Sequence, residues 1–154
     1  MKIFIANDHR GTKYALALTE FLAGLGHTVE HLGTDNEDAC DYPDMARMLG
    51  ERVALATGGA GADESGVFGI GICGSGVGIC IALNKIAGIR ATPVFNDHTA
   101  EYVKRHNNAN VLCFSGDTQK LDDIKRYAQI FMDARFEGGR HARRVAKIAE
   151  MERD

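Results

Sequence analysis

The sequence predicts an α/β fold in which a mostly parallel sheet of five strands is covered by helices. Short apolar runs of strand length alternate along the chain with longer segments whose apolar residues recur at the helical period. The most apolar run, residues 66–73, passes without a linker into a glycine-rich turn and then into a helical segment. That strand–turn–helix order is typical of the parallel units that carry helices on both faces of a sheet.

The apolar runs predict the strands. They are residues 3–6, 28–32, 66–73, 89–95 and 111–114. Pro93 favours an edge position for the fourth strand, because proline cannot donate to a ladder of hydrogen bonds. Helical spacing predicts helices at residues 14–25, 44–57, 77–86, 99–105, 121–134 and 140–152. Together these elements predict a Rossmann-like three-layer fold, with Asp44 capping the second helix and residues 58–66 forming a solvated loop.

Composition indicates one domain, residues 1–154, with 45% hydrophobic and 25% charged residues. The net charge of −3 gives no reason to expect nucleic acid, and no apolar run is long enough for a membrane span. The apolar residues near the N-terminus are interrupted by Asp8, so this apolar run is too short for a secretory signal. The cysteines lack CxxC or zinc-like spacing, so we expect a reduced, cytoplasmic setting. They are Cys40, Cys73, Cys80 and Cys113.

Cys73 lies at the carboxyl end of the third predicted strand, where open α/β sheets place their ligands. The turn after it, residues 74–78, leads into a helix that opens near Val77. The free N–H groups and positive dipole end of that helix would favour a thiolate over a thiol. A buried strand can also simply end in a small apolar cysteine. Position alone leaves both interpretations open.

The same stretch matches a dinucleotide-binding fingerprint, because Gly69, Gly71 and Gly74 have the spacing GxGxxG and Asp97 follows at a suitable distance. In that fingerprint the glycines belong to the turn, whereas Gly69 and Gly71 lie inside the predicted strand. A dinucleotide-binding module therefore remains an alternative of a different class, which binding of NAD would support.

Chemically active side chains follow several predicted strands at the edge where carboxyl ends meet. They come from residues 8–10, 41–42, 73–78, 96–98 and 115–117. A thiol, histidines and carboxylates crowded together indicate a catalytic site. His106 and Asn107 end the helix before the fifth strand, so only a long or bent segment would bring them to that edge. Structural explanations exist too: Asp8 could cap the first helix, and His106 could satisfy terminal carbonyls.

The last predicted helix carries Arg140 and Arg144, which are four residues apart and therefore on one face. Paired guanidinium groups suit phosphate, since their forked donors bind two oxygens at once. Alternatively, the helix could simply have a solvated basic face and an apolar stripe that packs on the protein. This interpretation accounts for the apolar stripe but not for the two glycines that precede Arg140.

Several segments, in this order and spacing, resemble the ribose-5-phosphate isomerase B group, and the resemblance spans nearly the whole chain. They are residues 8–11, 41–43, 72–79, 84–85, 88–90, 106–107 and 137–141. The wider family includes galactose-6-phosphate and allose-6-phosphate isomerases. The resemblance implies an aldose–ketose isomerase that interconverts ribose 5-phosphate and ribulose 5-phosphate through an enediolate.

The resemblance also implies roles for single residues. Cys73 would be the base that moves a proton between C2 and C1, because Ile79 stands where some relatives carry a glutamate. His106 would open the sugar ring, Asp8 would contact the sugar or relay protons, and Ser75 would orient the substrate.

The remaining implied roles concern binding. The loop amides that would stabilise the enediolate oxygen are those of Gly74, Gly76, Val77 and Gly78. The side chains that would contact sugar hydroxyls are Tyr42 and Asn107. Those that would hold the phosphate are His9, Arg140 and Arg144. The resemblance implies a homodimer or dimer of dimers in which a neighbouring subunit's C-terminal helix donates the two arginines, with no metal and no cofactor.

The chain departs from the family pattern in two places. Residues 58–66 are longer than usual, and Asp117 stands about where many relatives carry an arginine that reaches the phosphate. A carboxylate would repel a phosphate, so either its loop turns away or Lys120 substitutes. Otherwise the substrate is held differently, and a six-carbon sugar phosphate, such as allose or galactose 6-phosphate, is the alternative substrate.

Overall fold

The structure, a computed structural model, describes residues 1–152. Five strands form one sheet: β1 (Lys2–Asn7), β2 (Thr28–His31), β3 (Val67–Cys73), β4 (Ala91–Pro93) and β5 (Val111–Ser115). Their order across the sheet is β2-β1-β3-β5-β4, and every pairing is parallel. The predicted five-stranded sheet is confirmed, and Pro93 lies on an edge strand as expected.

Seven helices connect and follow the strands within the described residues. They are α1 (Thr12–Gly24), α2 (Tyr42–Thr57), α3 (Ala62–Ser65), α4 (Val77–Leu83), α5 (Asp97–Arg105), α6 (Leu121–Asp133) and α7 (Arg140–Glu150). The prediction that Asp44 caps α2 is wrong. Asp41 holds the cap position and Pro43 lies in the first turn, where its fixed φ suits a helix and its missing N–H costs nothing. The segment 58–66, predicted as a loop, contains the short helix α3.

The helices cover both faces of the sheet, which confirms the three-layer arrangement. On one face, α1, α5 and α6 pack on alternate strand residues such as Ile5, Ile70 and Leu112. On the other face, α2 and α4 pack on the intervening residues, including Phe4 and Cys73. Because both faces are buried, the central strands are apolar at almost every position. Among residues 1–152, no helix has the length and apolar character needed to cross a membrane.

Two glycines in β3 allow α2 and α4 to approach the sheet closely. A Cβ atom at Gly69 would lie 2.9 Å from Val53, and one at Gly71 would lie 3.1 Å from Leu83. Both glycines therefore serve packing inside a strand. A dinucleotide-binding loop needs its glycines in the turn after the strand, and Gly69 and Gly71 lie inside the strand instead.

The segment between α6 and α7 is anchored by a buried ion pair. Lys104, which is fully buried, has its Nζ 3.0 Å from Asp63 Oδ1 and donates to the carbonyl of Phe131. Asp63, in α3, also accepts the N–H of Phe136 at 2.6 Å. Burial acts to raise the pKa of Asp63, but the Phe136 N–H and Lys104 outweigh it and hold the pKa below its usual value. The contacts of Asp63, in α3, thus hold in place the segment that leads into α7.

Replacing Lys104 with methionine is expected to lower the free energy of unfolding by about 3 kcal/mol, because Asp63 would lose its buried partner and keep only the exposed Arg135 as a counter-charge. Adding Asp63→Asn should recover part of that loss, since it removes the weakly compensated charge. Asp63 stabilises the fold above its ordinary pKa, so its contribution should fade as the pH falls below about 4. Urea unfolding at several pH values measures both effects, with the exposed Lys85→Met as the control. Equal stability of Lys104→Met and Lys85→Met would contradict the anchor.

Candidate active site

The loops at the carboxyl ends of β1, β3 and β5 are joined by backbone hydrogen bonds. Asp8 N–H donates to the carbonyl of Ile72 at 3.1 Å, and Gly116 N–H donates to that of Cys73 at 2.9 Å. Tyr42, at the start of α2, lies against the same edge, since a Cβ at Gly78 would come within 2.7 Å of its ring. The structure therefore brings together the predicted residues that follow these strands. We call Asp8, His9, Tyr42, Cys73 and Ser75 the carboxyl-edge cluster.

Cys73 ends β3 and is 3% exposed, on the face covered by α2 and α4. Its Sγ accepts the N–H of Gly76 at 3.2 Å. Gly76 has φ +76°, and a Cβ there would lie 2.9 Å from the backbone of Phe114, so only glycine fits this turn. The turn thus aims an amide at the sulfur. The neighbouring Val77 N–H donates to Ser75 Oγ at 3.2 Å, and Ser75 itself is exposed at the mouth of the site.

His9 and Asp8 are held in defined orientations. The N–H of Cys40 donates to His9 Nδ1 at 3.3 Å, so the proton of a neutral His9 lies on Nε2, which is free to donate to a ligand. Asp8 is 5% exposed, and its Oδ1 accepts the N–H of Arg10 at 2.9 Å. Asp8 therefore shapes its own loop and does not cap α1, which begins after Gly11 without a side-chain cap.

Sequence reasoning missed Asn7, the last residue of β1. It is fully buried, and its amide donates to the carbonyls of Asp8 and Thr34 and to Thr12. Its Oδ1 lies 2.7 Å from His31 Nε2. Asn7 thereby ties the loop that carries Asp8 and His9 to the loop after β2. A buried polar residue directly after an apolar run was the signal that could have identified it.

His106 does not join the carboxyl-edge cluster within one chain. It follows α5, which runs against the strands and returns the chain by about 14 Å, so His106 lies at the opposite edge of the sheet. Asn107 comes next and is exposed. No long or bent segment brings these residues to Cys73. Arg140 and Arg144 are exposed on α7, and Arg140 Nε lies 3.3 Å from His141 Nε2, at the same edge as His106.

A second group of titratable side chains surrounds His106. Its ring stacks on that of His141, with centroids 4.1 Å apart and planes 6° from parallel. Glu137 Oε2 lies 3.6 Å from Nε2 of each histidine, and Arg105 binds the other carboxylate oxygen. We call His106, Glu137 and His141 the histidine pair cluster. Burial, the neighbouring His106 and Arg140 lower the pKa of His141, and Arg105 lowers that of Glu137.

The ligand atoms of this cluster lie within 4.8 Å of one another, a separation at which they could hold a metal ion. The orientation of its rings does not favour that use. Parallel stacked rings cannot direct both Nε2 lone pairs at one ion without rotating. As they stand, the two imidazoles are therefore not arranged to coordinate a single ion.

Comparisons with known proteins show the family of the chain. A family model described as Ribose/Galactose Isomerase matches residues 3–148. The chain is 39% identical to a probable ribose-5-phosphate isomerase B of Mycoplasma genitalium, covering 99% of this chain and 96% of that protein. It is 38% identical to ribose-5-phosphate isomerase B of Escherichia coli K12, covering 98% and 96%. The crystal structure of the Mycoplasma genitalium enzyme with bound ribulose-5-phosphate superposes with a TM-score of 0.91 at 38% identity, covering 99% and 97%.

A parallel α/β fold with a thiol at its carboxyl edge, together with these relatives, defines a sugar-phosphate isomerase. The chain belongs to the Ribose/Galactose Isomerase family. The resemblance described from sequence motifs alone is confirmed.

Proposed function

We propose that the chain is an aldose–ketose isomerase that interconverts ribose 5-phosphate and ribulose 5-phosphate through an enediolate. The observation that carries the proposal is the position of Cys73, whose sulfur accepts an amide N–H at the carboxyl edge beside Asp8 and His9. The relatives named above support the five-carbon substrate. Every step is a proton transfer between atoms of the substrate and side chains, so the proposal invokes no metal and no cofactor.

Cys73 is the proposed base for the central step. Its thiolate takes the proton from C2 of the open-chain aldose, so that the carbonyl oxygen O1 becomes the enediolate oxygen, and returns the proton to C1. The hydroxyl proton of O2 moves to O1 in the same conversion, which leaves the carbonyl group at C2. The N–H of Gly76 donates to the sulfur and holds it at the carboxyl edge of the sheet. Amides of the same turn, those of Gly74, Val77 and Gly78, are the proposed donors to the enediolate oxygen. Val77 becomes available when Ser75 turns its hydroxyl from that amide to the substrate.

The proposed site is shared between two copies of the chain. Ring opening by His106 requires it to reach the substrate at Cys73, which the opposite edges of one sheet forbid. A second copy that presents its histidine pair cluster to the carboxyl-edge cluster would complete the site. Asn107 would then meet sugar hydroxyls alongside Tyr42. Arg140 and Arg144 of that copy would meet the phosphate beside the Nε2 donor of His9.

Coupled assays with a panel of sugar phosphates test this proposal. We expect the highest kcat/KM for ribose 5-phosphate in the forward direction and for ribulose 5-phosphate in reverse. A preference for allose or galactose 6-phosphate would keep the isomerase mechanism and change the substrate. Inactivity on every sugar phosphate, or binding of NAD in its place, would contradict the proposal.

A further inference from the structure

Arg10 and Asp117 form an ion pair between the loops that follow β1 and β5. Arg10 Nε and Nη2 lie 2.9 and 2.7 Å from the same oxygen, Asp117 Oδ1. The sequence identified Asp117 as an obstacle to phosphate binding and offered two ways round it. The Asp117 loop does not turn away, because Asp117 lies beside Gly74, and its carboxylate is paired with Arg10.

The pair rests on backbone that is hydrogen-bonded into the carboxyl edge. Asp117 N–H donates to the carbonyl of Gly74 at 3.1 Å, and Arg10 N–H donates to Asp8 Oδ1. The two loops also touch directly, because a Cβ at Gly116 would lie 2.4 Å from the carbonyl oxygen of Arg10. The two backbone segments are therefore held in contact, which places the guanidinium beside the carboxylate before any ligand binds and lowers the cost of arranging it.

Arg10 retains donors that the ion pair does not use. Both contacts to Asp117 come from Nε and Nη2, and in the described part of the chain Nη1 makes no hydrogen bond to protein. Arg10 lines an open cavity of about 390 Å³ together with His9, Lys13 and Asp117. Lys13 is paired there with Glu37 at 3.0 Å, so each cation of the cavity faces an acid. An anion entering beside His9 thus meets a guanidinium edge with free N–H groups.

We propose that Arg10 is a further phosphate-binding residue of this site and that Asp117 is the positioning residue that holds it. The inference rests on the proposed function for the nature of the ligand, the phosphate of a sugar phosphate. A planar guanidinium fixed along one edge offers its other edge to phosphate oxygens. The same geometry gives Asp117 a second effect: without Arg10, its carboxylate would stand unpaired beside the bound phosphate and repel it.

Three variants separate these effects: Arg10→Ala, Asp117→Asn and the double variant. Arg10→Ala should weaken binding of inorganic phosphate in calorimetry, and raise KM for ribose 5-phosphate, by about tenfold or more, with kcat within about twofold. Asp117→Asn keeps an acceptor for Arg10, so its phosphate affinity should stay within about threefold of the native value. The double variant should bind phosphate more tightly than Arg10→Ala alone, because the repelling charge is gone.

Arg52→Ala is the matched control, since Arg52 forms a similarly exposed pair with Glu30 outside this cavity. It should leave KM and phosphate affinity unchanged. The proposal is overturned if Arg10→Ala matches Arg52→Ala in both measurements, or if the double variant binds phosphate no better than Arg10→Ala. Failure of the proposed function is distinguishable, because the native protein would then turn over no sugar phosphate while the phosphate titrations still decide the role of Arg10.

Discussion

Replacement of Cys73 by serine is expected to lower kcat for ribose 5-phosphate by about a thousandfold while leaving KM within a few-fold of the native value. Serine keeps the size and the contact with the Gly76 N–H, but its hydroxyl does not ionise near neutral pH and cannot act as the base. The substrate contacts to phosphate and hydroxyls remain. Steady-state kinetics of the purified variant, with the open-chain ketose ribulose 5-phosphate as well as with ribose 5-phosphate, measures the loss in both directions.

Cys113 provides the control for this variant. It is 1% exposed, lies on the neighbouring strand β5, and faces the same side of the sheet as Cys73. Burial raises the pKa of the Cys113 thiol, so it stays protonated and serves packing. Cys113→Ala should lower the free energy of unfolding by about 1–2 kcal/mol and leave kcat unchanged. Near-native turnover by Cys73→Ser, in a variant that unfolds like the native protein, would show that the base lies elsewhere.

The strands were predictable because their signal is local. A parallel strand buried on both faces is an uninterrupted apolar run, as in β3 and β5, and the run itself shows the element. The short helix α3 was not predictable in the same way. Its four residues, within a stretch rich in glycine and alanine, have no helical period, and it is held by the contact of Asp63 with Lys104, forty-one positions further along the chain.

Only those residues of the candidate site that lie at the carboxyl ends of the strands could be predicted to lie together. Asp8, His9, Cys73 and Ser75 follow strands, and the parallel topology alone places them together. Residue pairs that form only through tertiary contacts are not indicated by any local sequence pattern. Arg10 and Asp117 are 107 positions apart, and nothing in either loop indicates the other. The partners of His106 could not be predicted for another reason. By our proposal they belong to another copy of the chain, and the sequence of one chain does not indicate which surfaces form an interface.

Two inactive variants are expected to restore activity when they share one oligomer. Cys73→Ser and His106→Ala, carried on separately tagged chains, each remove one contribution to the proposed shared site. In a mixed dimer one site contains both defects and the other contains neither. Mixed dimers purified through both tags should therefore show about half of the native activity, because a two-fold interface forms two equivalent sites. If Cys73 and His106 of one chain worked together, the mixed dimer would have no intact site.

Placing both substitutions on one chain of the dimer predicts the opposite result. A chain that carries both substitutions, paired with a native chain, places one defect in each shared site, so the mixed dimer should be inactive. If each chain held its own complete site, that dimer would keep about half of the native activity through its native chain. The two mixed dimers contain the same substitutions in the same number and differ only in their distribution between chains. Changes in folding or expression affect both equally, so their activity ratio reports which chain supplies the histidine to the thiol.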